Sequence, residues 1–169
     1  LLGDQDVADI DHIGNAATIT LNNTGANRGL WIRNPDLDSA EAETVGAITL
    51  GAGHNVIQAD SNAGNLEIIT LTAVSLTRAN HATLLVRGQQ MDQTAGARGR
   101  IFFTAAPAGG VGAGGAAGTT TLSILPYVIG EVGLAGDDSA ALATRQGNSF
   151  AIAAADGVQL RPLSTVIGV

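Results

Sequence analysis

The sequence predicts an all-β protein whose first-choice architecture is a parallel β-solenoid, and three observations carry that expectation. Apolar and polar residues alternate in short bursts, the pattern of a strand with one buried face. Turn formers separate the bursts every 10 to 18 residues or so, without the two-residue Asn-Gly turns that mark antiparallel hairpins. Within LEIITLTAVSL (residues 66–76) the apolar set shifts from Leu66 and Ile68 to Ile69, Leu71 and Ala73, then to Val74 and Leu76, so the chain must bend while it keeps apolar groups inward. Such bends suit the corners of stacked coils. A β-sandwich completed by a donated strand is the second choice.

The elements follow in order. Ile19 and Leu21 oppose Thr18, Thr20 and Asn22, and Leu30 and Ile32 oppose Trp31 and Arg33. Further bursts are VGAITL (45–50), HNVIQ (54–58), the bending run 66–76, ATLLVRG (82–88), RIFFT (100–104), TTLSILPYVIG (120–130), SFAIAAA (149–155) and GVQLRPL (157–163). Asn22-Asn23-Thr24-Gly25, Asn34-Pro35-Asp36, Gly51-Ala52-Gly53 and Asp60-Ser61-Asn62 punctuate them. The glycine and alanine tract GGVGAGGAAG (109–118) buries little surface and is read as a loop or thin turn between two strands. No long amphipathic helix is legible.

Composition narrows the function classes. The 169 residues suit one domain, or a segment of a longer repetitive protein, read as an N-terminal β segment (1–44, a cap or an inter-subunit strand) followed by a continuous solenoid-like stretch (45–169). With 45% hydrophobic residues but only three phenylalanines, one tryptophan and one tyrosine, the core must be aliphatic and thin, and 23 glycines fit close-packed layers. A net charge of −7 and scattered arginines disfavour nucleic acid and anionic membranes. Absence of cysteine excludes disulfides and thiolate chemistry, and no apolar run reaches the ~20 residues of a membrane span. The opening LLGDQDVADID carries no basic region followed by an apolar run, so the chain is expected to be processed or part of something larger.

Chemical motifs are sparse. Gly110, Gly112 and Gly115 spell G-x-G-x-x-G with Glu131 beyond, but the following TTTLSIL is rich in β-branched residues where a dinucleotide site needs a helix. Asp4, Asp6, Asp9 and Asp11 form an acidic cluster, the metal candidate, with calcium as the ion that alternating carboxylates could hold; otherwise no cofactor is expected. Asp36, Asp38, Glu41 and Glu43 form a second cluster, read either the same way or as a solvated face. His12, His54 and His81 show no ligand spacing and read as loop residues. Ser149 lacks the closing glycine of a nucleophile elbow, Asn22-Asn23-Thr24 is a sequon, and no catalytic residue is assigned. Phe102 and Phe103 fall on opposite faces of one strand, so something outside the coil should cover one of them. Val7, Ile10, Ile13 and Phe102 are the interface candidates, the first three as anchors of an N-terminal segment seated in a groove.

The stretches 48–90 and 100–132, followed by DGVQLRPL (156–163), resemble the large secreted bacterial proteins with autotransporter-associated β-strand repeats, over roughly residues 45–163. The resemblance lies in Leu76, Arg78, residues 82–88, residues 101–104, Pro107, residues 124–126, Ile129, Gly130 and residues 160–163. It implies a right-handed β-solenoid segment of an extracellular or cell-surface fibre, assembling with copies of itself, with no catalytic residues to carry over. The other expectations weighed are a surface adhesin or carbohydrate-binding module, and an enzyme acting on glycosides through paired carboxylates, which the scarcity of aromatic rings disfavours.

Overall fold

Twelve strands lie among the residues that the structure, a computed structural model, describes: 12–23, 29–34, 40–61, 68–91, 99–112, 123–133, 146–153 and 160–162. They are β1 (Ile19–Leu21), β2 (Leu30–Asn34), β3 (Glu41–Val45), β4 (Ile48–Leu50), β5 (His54–Ser61), β6 (Ile69–Ala73), β7 (Leu76–Arg78), β8 (Thr83–Gln89), β9 (Gly99–Phe103), β10 (Ile124–Gly133), β11 (Gln146–Ala153) and β12 (Leu160–Pro162). No helix occurs among the described residues, and the fold is all-β with parallel sheets. No described helix is long and apolar enough to cross a membrane.

The chain visits three sheets in rotation. Sheet one holds β1-β4-β7, sheet two β2-β5-β8-β10-β11-β12 and sheet three β3-β6-β9. Each of the six strands β1 to β6 therefore pairs in parallel with the strand three places on, and the partners lie 27 to 30 residues apart: Ile19 with Ile48 and then Leu76, Leu30 with Ile57 and then Val86, Glu41 with Ile69 and then Gly99. The next step in sheet two is longer, from Val86 to Gly130, because the glycine tract intervenes. β10, β11 and β12 then pair antiparallel and close the sequence of strands.

Register places like beside like. The inward columns read Ile19–Ile48–Leu76, Leu30–Ile57–Val86 and Val45–Ala73–Phe103, and residues from all three sheets form one aliphatic core. Each fully buried leucine or isoleucine contributes about 1.5–3 kcal/mol of transfer free energy. Phe103, a large ring wholly inside, lies in register with the small Ala73, which keeps the layer filled without overpacking.

Corners between sheets three and one take two residues. At the first stand Gly46 and Ala47, and at the second Val74 and Ser75. Val74 is 50% exposed, which corrects its expected inward placement: it is the corner residue at which the alternation of β6 ends and that of β7 begins. Gly46 is required by proximity, since a Cβ there would stand 2.7 Å and 2.8 Å from the carbonyl oxygens of Ala16 and Ala17. After β9 the chain starts another round in register: the N–H groups of Thr104 and Ala105 donate to the Ala73 and Val74 carbonyls. Pro107 lacks an N–H, the Ala108 N–H still donates to the Leu76 carbonyl at 3.3 Å, and Gly109 follows at φ 81°; among the described residues sheet one has no strand beyond β7.

Tyr127 of β10 holds this region. Its hydroxyl donates to the Ala108 carbonyl at 2.5 Å, and the Arg78 guanidinium lies 4.9 Å above its ring. Burial raises the phenol's pKa above its ordinary value of 10.0, against the opposing charge of Arg78. A folded value above the unfolded one means that this contribution to stability is complete below about pH 10 and is lost as pH rises through the raised value. With one tyrosine and no lysine or cysteine in the chain, that loss is readable. Urea titrations are expected to show stability falling in strongly alkaline solution for the native chain. Tyr127→Phe should flatten that fall while lowering neutral-pH stability by about 0.5–1.5 kcal/mol. Equal alkaline slopes for the two proteins would refute the assignment.

Candidate functional site

Two polar clusters stand out against the aliphatic core, and the first closes one end of it. β3 alternates buried and exposed, so Glu41, Glu43 and Val45 face inward at positions that Ile69, Leu71 and Ala73 occupy on the neighbouring strand. Glu41 is 7% and Glu43 1% exposed. A carboxylate there is unfavourable unless hydrogen-bonded. The N-terminal chain supplies donors: the His12 N–H reaches Glu43 Oε2 and the Ile13 N–H reaches Oε1, both at 3.0 Å. The His12 ring brings Nδ1 within 3.8 Å of Glu41 Oε1 and 3.7 Å of Glu43 Oε2, an ion-pairing distance when the ring is protonated. Ile13 packs against the core, and residues 14–17 form a turn, with the Ala17 N–H donating to Gly14, that feeds β1.

The second cluster lies on the outer face of sheet two. Register aligns Trp31, Gln58, Arg87, Glu131 and Asn148 in one row across β2, β5, β8, β10 and β11. Arg87 Nε donates to Glu131 Oε2 at 3.0 Å and its Nη1 to Gln58 Oε1 at 3.1 Å. Gln58 and Glu131 are 1% and 2% exposed, so the outer face is covered at this row. Trp31 is buried too, with the Arg33 guanidinium 5.2 Å from its ring. Arg87 thus ties three strands, β5, β8 and β10, together by charge-assisted hydrogen bonds.

Asn55 makes a third polar link where sheet one passes into sheet two. Its side-chain amide donates to the Ala52 and Thr83 carbonyls, and its oxygen accepts the Asn23 N–H at 3.0 Å, joining three successive rounds. The next passage uses Asn80 and His81 at φ 47° and 56°, with the Asn80 amide on the Gly51 carbonyl. His54 bonds Thr83 Oγ1 at 2.6 Å and is exposed, as is His81.

The metal candidates Asp4, Asp6, Asp9 and Asp11 lie outside the described residues, as do Val7 and Ile10 and the acids Asp36 and Asp38. Among the described residues no group of three or more His, Asp or Glu side chains is arranged to hold a metal ion. Glu41 and Glu43, read from sequence as ion ligands or a solvated face, prove to be inward-facing acceptors of main-chain N–H groups. Phe102 stands half-buried on the outer face of β9 and Phe103 fully inside. Gly110 and Gly112 precede a strand, β10, in place of the helix that a phosphate-binding turn would need. Ser149 sits mid-strand in β11, paired with Gly130.

Sequence reasoning singled out Glu41 and Glu43 but not their inward placement, and it missed the Arg87 row. Arg87 was legible only as the end of an apolar burst, and its pairing with Glu131 depends on a 44-residue step across the glycine tract. No protein-family model, curated protein or solved structure matches the chain.

Proposed function

We propose that this chain is a structural element of an extracellular or cell-surface fibre, secreted and built as a right-handed β-solenoid that assembles with copies of itself through strand edges. The observation that carries the reading is the rotation of the chain through three parallel sheets around one aliphatic core, each round in register with the last. A stack of this kind contacts only its neighbours and leaves unpaired N–H and C=O groups at its ends, which a second copy can pair. β1, β2 and β3 are the terminal strands of their sheets at one end, and β9 is terminal in sheet three at the other. The polar groups that the core holds are engaged in holding strands to one another, which is the chemistry a fibre segment needs.

The test is mass against concentration. The full chain is expected to sediment as elongated assemblies that grow with concentration. Aligned specimens should diffract at the strand spacing of about 4.7–4.9 Å along the long axis. A chain that stays monomeric at every concentration, even when the contact of His12 and Ile13 with Glu43 is broken, would overturn the proposal.

A further inference from the structure

We infer that the N-terminal chain at His12 and Ile13 is a cap that closes the β1–β3 end in cis, and that Glu43 is its anchor, so that a second copy can stack on this end only when the cap is released. The inference rests on the fibre reading above and adds which end is gated and by what.

Three observations converge on it. Along sheet three the inward column reads Glu43–Leu71–Ile101, apolar in the second and third rounds and ionisable in the first. An apolar residue at the first position would present to an incoming copy the same surface that Leu71 presents to β3. A carboxylate does not, because stacking a second copy over it would bury it against leucine or isoleucine. Both Glu43 oxygens instead accept main-chain N–H groups from adjacent residues of the same chain, a bidentate clamp on the backbone. The clamped segment is also seated: Ile13 packs on the core and the 14–17 turn lies against Gly46, whose missing side chain makes room for the Ala16 and Ala17 carbonyls. The Gly46 N–H donates to the Ala17 carbonyl at 2.9 Å, so the segment occupies hydrogen-bonding positions at the very end of the corner that a neighbouring copy would use. Ile13, expected as an anchor between subunits, is thereby engaged within its own chain.

The occupant of the uncapped end is a second copy of this chain. The sheets end there on β1 and β3, and the opposite end offers β9 in the same parallel sense, with a register already used twice inside the molecule. Charge acts in the same direction: Glu41 and Glu43 are inward-pointing charged residues on a terminal strand, a device that blocks pairing with an added strand.

The experiment compares the full chain with Glu43→Leu and, as a variant that leaves the core column intact, His12→Pro, which removes one donor to Glu43. Amide exchange at Ile13 is read in all three proteins and at His12 in those that retain its N–H; sedimentation is read across a wide concentration range. In the native chain these amides should be protected at least tenfold over a free segment. Both variants should lose that protection, and both should form assemblies larger than the native chain at equal concentration. Unprotected amides in the native chain overturn the cap and leave the fibre reading standing. Protected amides that the variants release with no gain in assembly overturn the gating. If the native chain is monomeric throughout as well, the fibre reading falls with it. A variant that assembles less than the native chain shows the segment to be an inter-subunit strand and refutes the cap.

Discussion

Arg87→Ala is expected to lower stability by about 3–5 kcal/mol, the range for removing one partner from a buried ion pair. Glu131 and Gln58 are almost wholly buried and take Nε and Nη1 of the same guanidinium, so truncating Arg87 strips a charge-assisted bond from each at once. The loss comes from the carboxylate left in the protein, and this makes a rescue possible. Arg87→Leu combined with Glu131→Leu removes both charges and should recover most of the deficit, because a hydrophobic replacement of a whole buried pair is often neutral. Chemical denaturation of the two variants decides it. A double variant no more stable than Arg87→Ala would mean that the row acts through packing.

Gly99→Ala should rank next, at about 1–3 kcal/mol or above, the usual cost of overpacking. Gly99 begins β9 where sheets two and three come together, and a Cβ there would clash with the Ala59 carbonyl oxygen and lie 2.7 Å from the Gly88 Cα and 2.9 Å from the Gln89 nitrogen. All three are backbone atoms of strands or strand ends, so none can swing aside as a flexible side chain would. Gly110→Ala serves as the control, because its nearest neighbour, the Ser123 Cβ, stands at 3.6 Å. Thermal melts showing equal shifts for the two substitutions would contradict the close-approach account.

What the sequence could reveal was local. The alternation of Ile69, Leu71 and Ala73, or of Leu84 and Val86, is written in adjacent residues and set by the two-residue period of a strand, so strand positions and most of the core were readable. The bend after Ala73 was readable as a change of phase, but Val74 was read as inward because a valine at a corner looks the same as one in a strand. Pairing was missed: Ile-Thr-Leu recurs at 19–21 and 48–50, one step apart, but three residues are a short signal and other steps connect unlike residues, such as Glu43 with Leu71 and Ile101. The carboxylates on β3 defeated the pattern for the same reason. Acids alternating with Ala42 and Thr44 look like a solvated edge unless the N–H groups of His12 and Ile13, 31 and 30 residues away from Glu43, are known to be there. The Arg87 row needed both kinds of knowledge, since its members are polar residues on an outer face that the chain nonetheless covers.

The constant step between paired strands bears on how the chain acquires its structure. Closing a loop of about 28 residues carries a length-dependent entropic cost of roughly 3 kcal/mol, and this is the same for β1 with β4 as for β6 with β9, since each strand looks back over one interval only. The difficulty of ordering the next strand therefore does not grow with the length already ordered. Structure can propagate along the chain as a front, each finished strand serving as template for the one that follows, until β10 meets β11 running the other way and the propagation ends.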